Sequence, residues 1–330
     1  MPGTVSVLQQ FFCPGKPRFT EEHLPDLKNK VIIVTGSNTG LGKEVTRILY
    51  SRNATVYMMA RSEDKTLAGM ADIKTALPAS SGALHFIRID LSDLASVKAA
   101  ASEFLRREQM LHVLFNNAGV GYPDKGATTA QGHELQLGVN CIGPFALTKL
   151  LTPRLVAAAR ASPRDTVRVV WVSSSAAEGV RLSSPATFME TLLPRIGDAS
   201  QLDQYSLSKL GNYLHAAEYA ARHGSDGVLS VSLNPGALDS EFWRTQGSLT
   251  TWLLRRTLLY PPVYGAYTSL FAGFSPEVTA EKSGSYIAPW GQLWKVSKDM
   301  VDAARTTSQG GTGVAREFWE WSEKQVEPYI

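Results

Sequence analysis

Tyr205 and Lys209 could together move a proton, because three residues separate a phenol from an ammonium. Residues four apart share one face of a helix, so both side chains can point into one site. A nearby cation favours the phenolate and lowers a tyrosine pKa, which suits the phenol to proton transfer near neutral pH. The spacing is weak on its own, because both residue types are common on surfaces. The pair predicts chemistry only if the chain also supplies a cofactor cradle and a group that polarises a carbonyl.

A glycine-rich turn follows the first predicted strand and precedes a helical pattern. Its glycines have the order Gly-x-x-x-Gly-x-Gly. Glycine permits positive φ and lets the backbone approach a diphosphate, whose charge is stabilised at a helix N-terminus. A helix-capping turn is the alternative, and the strand–turn–helix context favours the cradle. The predicted cofactor residues here are Gly36, Asn38, Gly40, Leu41 and Gly42.

The residue that ends the second predicted strand bears on the choice of cofactor. NAD-binding domains usually place an acidic residue about 20 positions beyond the glycines, on the ribose hydroxyl. Here Arg61 stands at the turn, and Glu63 and Asp64 come only later. A guanidinium can bind a 2′-phosphate, so Arg61 predicts NADP(H) over NAD(H). The alternative is a solvated residue at the start of a helix.

Polar residues also follow the third and fourth predicted strands. Asp90 could accept a hydrogen bond from the adenine amino group, or it could begin a helix. Asn117 belongs to the stretch Asn-Asn-Ala-Gly, whose short side chains suit a tight turn against the cofactor ribose. Both are predicted cofactor residues.

Apolar, β-rich runs alternate with helical patterns along most of the chain. Continuous apolar strands suit a parallel sheet that is buried on both faces. We therefore predict a single doubly wound Rossmann-type α/β domain with about seven strands over residues 30–330, preceded by an arm over residues 1–29. Ligands in such folds bind beyond the carboxyl ends of the strands. The runs are 31–35, 55–59, 84–89, 111–115, 167–172 and 228–233, with a seventh candidate at 284–287.

The composition limits the functional classes. The net charge is 33 − 30 = +3, too small to predict nucleic-acid binding. Cys13 and Cys141 offer neither a disulfide framework nor a metal site, so a reducing, cytoplasmic location and no metal are expected. No apolar run reaches the length of a membrane span. The apolar stretch 251–260 favours a helix over a substrate pocket or a subunit surface rather than a membrane contact.

Six motifs in one order resemble the short-chain dehydrogenase/reductase family over residues 30–240. They read TGSNTGLG, NNAG, VNCIG, VSSS, YSLSK and NPG. The chain is most similar to the retinol-dehydrogenase-like branch and its fungal relatives. That likeness lies in the long gap between Ser174 and Tyr205, in the stretch NPGALDSEF, and in the helix start Tyr264-Gly265-Ala266.

The resemblance implies roles for the proton-transfer residues. Tyr205 is expected to act as the general acid in carbonyl reduction and as the general base in alcohol oxidation. Lys209 is expected to lower the tyrosine pKa and to bind the nicotinamide ribose hydroxyls. Asn140 matches the asparagine that kinks a helix and holds a water linked to the lysine, although a mid-helix amide bonded only locally is the alternative.

The resemblance also implies roles for two serines. Ser174 aligns with the serine that hydrogen-bonds the substrate oxygen, and Ser173 and Ser175 stay open as alternatives within the serine run. Ser240 occupies a position where the family often has threonine beside the nicotinamide amide.

Two apolar segments, about 180–202 and 240–264, are expected to form a substrate lid, and ordinary core or interface packing is the alternative for each of their large apolar residues. Their large apolar residues predict a lipophilic ketone or aldehyde, or a secondary alcohol, as the small-molecule substrate, with secondary metabolism as the hypothesis. Dehydration, epimerisation or cyclisation at the same site, or a silent cofactor-binding regulator, are the alternatives. The large apolar residues of the two segments are Leu182, Phe188, Met189, Leu192, Phe242, Trp243, Trp252, Leu253 and Leu254.

The resemblance also implies an oligomeric state, because family members often form homodimers or homotetramers through the helices that carry Asn140 and Tyr205.

Overall fold

The apolar runs of the sequence become the strands of one central sheet. The computed structural model describes residues 9–10, 15–182, 187–239 and 259–330. In these residues eight strands form one sheet with the order β3-β2-β1-β4-β5-β6-β7-β8. The strands are β1 (Val31–Thr35), β2 (Thr55–Ala60), β3 (Ala83–Arg88), β4 (Val113–Asn116), β5 (Val167–Val172), β6 (Val228–Leu233), β7 (Tyr286–Ala288) and β8 (Gln292–Trp294).

The first seven strands are parallel, and β8 runs antiparallel to β7. Every residue of β5 and β6 is buried, as expected for strands with helices on both faces. The sheet order reverses between β1 and β4, where chain connections leave in opposite directions. Such a reversal opens a crevice at the carboxyl ends of the strands.

Helices cover both faces of the sheet. They are α1 (Gly40–Ser51), α2 (Glu63–Ala76), α3 (Leu94–Arg107), α4 (Gly143–Arg160), α5 (Gln201–His223), α6 (Pro262–Phe274), α7 (Lys298–Ala304) and α8 (Val314–Val326). One hydrophobic cluster lies under α3, α4 and α5, and the other lies under α1 and α6. A turn of helix at Leu135–Leu137 continues through a π-helical segment, Gly138–Ile142, into α4.

The last two strands form a hairpin that the sequence pattern only half predicts. The seventh candidate run, 284–287, corresponds to β7, but β8 was not expected. β8 is three residues long and only half buried, so it produces no apolar run. The turn before it holds Trp290 at φ 65° and Gly291 at φ 87°.

The described part of the N-terminal arm lies on the body of the domain. Phe19 is buried and meets Phe271 of α6 edge-on, with ring centroids 6.3 Å apart. Leu24 and Leu27 are also buried, and the backbone N–H of Leu27 donates to Arg52 O at 2.7 Å. Burying these apolar side chains fixes the arm to the α1–α6 face.

The helix α8 packs along α5, the helix that carries Tyr205 and Lys209. His215 of α5 stacks against Phe145 of α4 and Phe318 of α8, at 4.7 Å from each ring. Its Nε2 lies 2.9 Å from Ser322 Oγ. Burial lowers the pKa of His215 to about 3, which keeps the ring neutral among these aromatic side chains.

Among the described helices, none combines the length and apolar character needed to cross a membrane.

Candidate active site

A cavity of about 790 Å³ opens at the carboxyl edge of the sheet. Residues that follow each of β1 to β6 line it, so the topology alone brings the predicted motifs together. The glycine turn and Arg61 line one end. Ser174, Tyr205 and Lys209 line the other end.

The glycine turn has the shape that a diphosphate cradle requires. Gly36 and Gly40 have φ values of 64° and 52°, a conformation that side chains with a Cβ rarely adopt. A Cβ at Gly42 would lie 2.3 Å from Gly36 O and 2.7 Å from Asn117 Nδ2. The backbone therefore folds back on itself where α1 begins. Asn38 and Leu41 also line the cavity, so the predicted cradle residues fit a dinucleotide.

Asn117 and Asp90 line the cavity while holding its loops. Asn117 Nδ2 donates to Thr35 O at 2.8 Å, which ties the end of β4 to the glycine turn. Asp90 Oδ1 accepts from the backbone N–H and the hydroxyl of Ser92, at 2.9 and 2.7 Å. Their side chains thus shape the walls that a cofactor would contact.

The end of the cavity beyond the glycine turn carries two cations. Arg61 lines it as expected, and so does Lys65 in the first turn of α2, which sequence reasoning missed. Ser62 caps α2, its Oγ accepting from the Lys65 N–H at 3.4 Å. Glu63 and Asp64 are exposed and are not among the lining residues. A basic residue four positions after Arg61, at a helix N-terminus, was the available signal.

Tyr205 and Lys209 share one face of α5, with Lys209 Nζ 5.7 Å from the centroid of the phenol ring. Burial lowers the pKa of Lys209 to about 8, and Nζ donates to Val172 O at 2.8 Å. Burial raises the pKa of Tyr205 to about 12, and a hydrogen bond with Ser174 offsets part of that rise. The expected lowering of the phenol pKa by the lysine is not what these surroundings produce. The ammonium lies over the ring and is bonded to a backbone carbonyl, so desolvation dominates.

The three consecutive serines after β5 have different partners. Ser173 is buried, and its hydroxyl donates to Lys209 O at 2.6 Å. Ser174 Oγ accepts from the N–H of Ala176 at 3.2 Å, in the 3₁₀ turn Ser175–Gly179, and Ser174 is the serine whose side chain lowers the Tyr205 pKa. Ser175 lines the cavity. The geometry therefore favours Ser174 as the serine that faces the phenol.

Asn140 lies in the π-helical segment before α4, where the helix changes its hydrogen-bond register. Its Nδ2 donates to Val120 O at 2.9 Å and to Ser208 Oγ at 3.0 Å, and its Oδ1 accepts from Val120 N at 2.7 Å. A Cβ at Gly119 would lie 3.1 Å from Asn140 Oδ1 and 3.3 Å from Lys209 Nζ. Asn140 thus anchors the loop that runs beside the lysine.

The sequence-predicted lid is only partly described. Ser240 and residues 241–258, including Phe242, Trp243, Trp252, Leu253 and Leu254, lie outside the described residues. In the first segment, Leu182 and Phe188 belong to the core, and Phe188 meets Phe318 edge-on with ring centroids 5.4 Å apart. Met189 and Leu192 pack partly buried against the same core. Among the described residues of this segment, Leu202 lines the cavity.

Two further cavity residues were missed from the sequence. The Tyr122 ring lies 6.1 Å from the Tyr205 ring at an interplanar angle of 21°, and its backbone has φ 53°. Gln10, from the N-terminal arm, is 2% exposed and lines the cavity. A tyrosine directly before a proline in the loop after β4 was a usable signal for Tyr122, and no local signal marks Gln10.

The short chain dehydrogenase family model matches residues 30–185. A short-chain dehydrogenase/reductase of Phomopsis amygdali is 51% identical over 321 residues, which is 96% of this chain and 95% of that protein. A second, from Neocamarosporium betae, is 47% identical and covers 98% and 94% of the two chains. A third, from Emericella nidulans, is 42% identical and covers 97% and 99%.

Solved structures share the fold. A putative uncharacterized protein from Mycobacterium paratuberculosis aligns with a TM-score of 0.68 and 28% identity, over 94% of this chain and 97% of that chain. An NADPH-bound carbonyl reductase from chicken fatty liver aligns with a TM-score of 0.59 and 20% identity, over 81% and 99%. With its fungal relatives, its sheet order and its cavity, the chain belongs to the short-chain dehydrogenase/reductase family.

Proposed function

We propose that the protein is an NADP(H)-dependent oxidoreductase that interconverts a lipophilic ketone or aldehyde, or a secondary alcohol, with its redox partner. The observation that carries the proposal is the placement of Ser174 and Tyr205 in the same cavity as the glycine cradle, with Ser174 close enough to lower the Tyr205 pKa. One end of the cavity can hold a dinucleotide. The other end presents two hydroxyls to a reacting oxygen.

The bound nicotinamide would supply or accept the hydride. In the reductive direction, the hydroxyls of Ser174 and Tyr205 stabilise the charge that grows on the carbonyl oxygen, and Tyr205 supplies the proton. A Tyr205 pKa of about 12 keeps the phenol protonated at neutral pH, so it is ready to act as the acid. Alcohol oxidation would instead need the phenolate as the general base.

Lys209 and Asn140 position the phenol and the cofactor side of the site. A Lys209 pKa of about 8 leaves the amine largely protonated at neutral pH. Its bond to Val172 O holds the Nζ atom over the Tyr205 ring, and Gly119 packs beside both Lys209 Nζ and Asn140 Oδ1. Lys209 therefore offers donors to ribose hydroxyls, and Asn140 fixes the adjoining loop.

The proposed preference for NADP(H) over NAD(H) rests on the charges at the end of the cavity that the glycine turn and Arg61 line. Arg61 and Lys65 both line the wall that follows β2. Two cations beside the N-terminus of α2 favour a dianionic 2′-phosphate over a ribose hydroxyl. The carbonyl reductase that shares this fold is itself NADPH-bound, which is consistent with this choice.

A lipophilic substrate is supported by the wall around the reacting hydroxyls. That wall is mainly apolar or aromatic, which favours a substrate whose carbonyl is carried on a hydrocarbon frame. The fungal relatives make a secondary metabolite our choice of substrate class. The wall residues are Val120, Tyr122, Pro123, Leu135, Val139 and Leu202.

The test is turnover of the purified protein with NADPH and a panel of apolar carbonyls, including menadione, an aromatic aldehyde and a steroid ketone. We expect NADPH absorbance to fall with matching alcohol formation for at least one class. Cofactor binding without any reaction would instead make the protein a silent binding module. Product formation without NADPH loss would mean dehydration, epimerisation or cyclisation at the same site.

A further inference from the structure

One side chain of the N-terminal arm reaches the end of the cavity that Ser174, Tyr205 and Lys209 line, which we call the reaction end. Gln10 Nε2 donates to Glu178 Oε1 at 2.5 Å, and Gln10 Oε1 accepts from Asn234 Nδ2 at 3.1 Å. These partners lie 168 and 224 residues further along the chain. All three side chains are buried, at 2%, 4% and 5% exposure. A buried amide bonded at both of its ends has its position fixed by those bonds.

Each partner of Gln10 belongs to a segment that shapes the reaction end. Glu178 lies in the 3₁₀ turn Ser175–Gly179, which Ser174 caps. Asn234 follows β6, and its Oδ1 accepts from the N–H of Gly236 at 3.1 Å. The turn that Asn234 begins lines the cavity as far as Leu238. Gln10 thus connects the turn beside Ser174 with the turn beyond β6.

We propose that Gln10 is a positioning residue, which joins these two turns and makes the N-terminal arm part of the active site. The inference rests on the proposed function in taking this end of the cavity as the place where the carbonyl reacts. Glutamine suits the position because one amide supplies both a donor for the Glu178 carboxyl and an acceptor for the Asn234 amide. Alanine would remove the connection, and glutamate would remove the donor.

The neighbouring glutamine provides a matched control. Gln9 has the same side chain and adjoins Gln10 in sequence, but it is exposed. Gln10→Ala is expected to lower kcat/KM for menadione about tenfold, mostly through KM, because the two turns lose their common partner. The Kd for NADPH should stay within about threefold, because the diphosphate cradle lies at the other end. Gln9→Ala should change neither value.

A swap of the two side chains tests the hydrogen bond itself. Gln10→Glu sets two carboxyls against each other without a donor, so kcat/KM should fall roughly 100-fold. Glu178→Gln keeps an acceptor for Gln10 and should cost about threefold. In the double variant the new amide donates to the new carboxylate, which still accepts from Asn234. We expect it to recover to within about threefold of wild type, as a double-mutant cycle would show. Gln9→Glu adds the same charge outside the cavity and should have no effect.

Hydrogen exchange followed by mass spectrometry separates this inference from the proposed function. Gln10→Ala and Gln10→Glu should speed exchange in residues 174–180 and 234–239, and the swap should restore protection. If wild type reduces no carbonyl, the proposed function fails, and the exchange result still decides the inference. Unchanged exchange in both segments, or a double variant as impaired as Gln10→Glu, overturns it. If Gln10→Glu does not fold, Gln10→Asn, too short to span both partners, replaces it in the comparison.

Discussion

The two ends of the cavity are built from different parts of the polypeptide. The end lined by the glycine turn, here called the diphosphate end, is formed by backbone. Gly42 leaves no room for a Cβ there, and the N-terminus of α1 faces inward. The reaction end is an assembly of side chains, with Ser174, Tyr205 and Gln10 drawn from three distant segments. The first end depends on local conformation. The second depends on packing that must bring remote residues into register, so it can be altered one side chain at a time.

The largest effect should come from the phenol at the reaction end. Tyr205→Phe removes the proton donor and should lower kcat roughly 10³-fold in a stopped or continuous NADPH assay, with NADPH affinity retained. Tyr219→Phe is the matched control, because Tyr219 lies on the same helix and its hydroxyl pairs with Thr152 instead. Equal loss in the two variants would mean that helix packing, and not proton transfer, explains the result.

Substitutions of the adjacent residues Ser173 and Ser174 should have different effects, one mainly on stability and the other mainly on kcat. Ser174→Ala removes the hydroxyl that lowers the Tyr205 pKa and should lower kcat about 100-fold. Ser173→Ala removes a bond to Lys209 O and should cost about 1 kcal/mol of unfolding free energy, with a small effect on kcat. Steady-state kinetics and urea unfolding of both variants measure the difference. A larger kcat loss in Ser173→Ala would reassign the substrate-facing serine.

The diphosphate end should respond to a single methyl group. Gly42→Ala forces a Cβ to within 2.3 Å of Gly36 O and should weaken NADPH binding roughly 10–100-fold by fluorescence titration. Gly197→Ala is the control, since a Cβ there would meet no described atom within 4 Å. Normal NADPH affinity in Gly42→Ala would show that the cofactor does not use this turn.

Cofactor choice should show a selective loss of smaller size. Arg61→Ala should reduce NADPH affinity about tenfold and leave NADH affinity nearly unchanged, because one charge-assisted phosphate contact is lost. Arg88→Ala, an exposed arginine at the end of β3, serves as the control. If both cofactors weaken equally in Arg61→Ala, the guanidinium contacts something other than the 2′-phosphate.

The smallest effect concerns the packing that supports the reaction end. Burial lowers the pKa of His215 to about 3 from the 6.5 of a free histidine, so the unfolded chain binds this proton first as the pH falls. The corresponding stability is present above pH 6.5 and is lost toward pH 3, at up to about 1.4 kcal/mol per pH unit. His215→Gln should reduce the slope of unfolding free energy against pH, measured by urea unfolding between pH 6 and pH 4, by the amount that corresponds to about one bound proton.

Sequence and structure agree best where the signal is contiguous. The runs 31–35, 167–172 and 228–233 coincide with β1, β5 and β6, because strands buried on both faces are apolar throughout. The glycine turn could be predicted because glycine spacing and the strand–turn–helix order are local. The short, half-buried β8 left no such pattern.

The reaction end was harder to predict because its partners are distant. Nothing near Gln10 in the sequence indicates an acceptor 168 residues away. The expected effect of Lys209 on the Tyr205 pKa required the position of Nζ relative to the hydroxyl, which spacing on a helix does not give. Leu182 and Phe188 were expected at a lid, but apolar residues fill the core and the lid alike, and their composition could not separate the two.

The packing of α8 against α5 also bears on the order in which the protein is made. During synthesis α5 leaves the ribosome well before Phe318 and Ser322. His215 therefore lacks its aromatic and hydroxyl partners on α8 until that helix has been made. The packing of α5 against α8 is therefore completed only after Val326 has been translated. The glycine turn lies early in the chain and can form before this packing is complete.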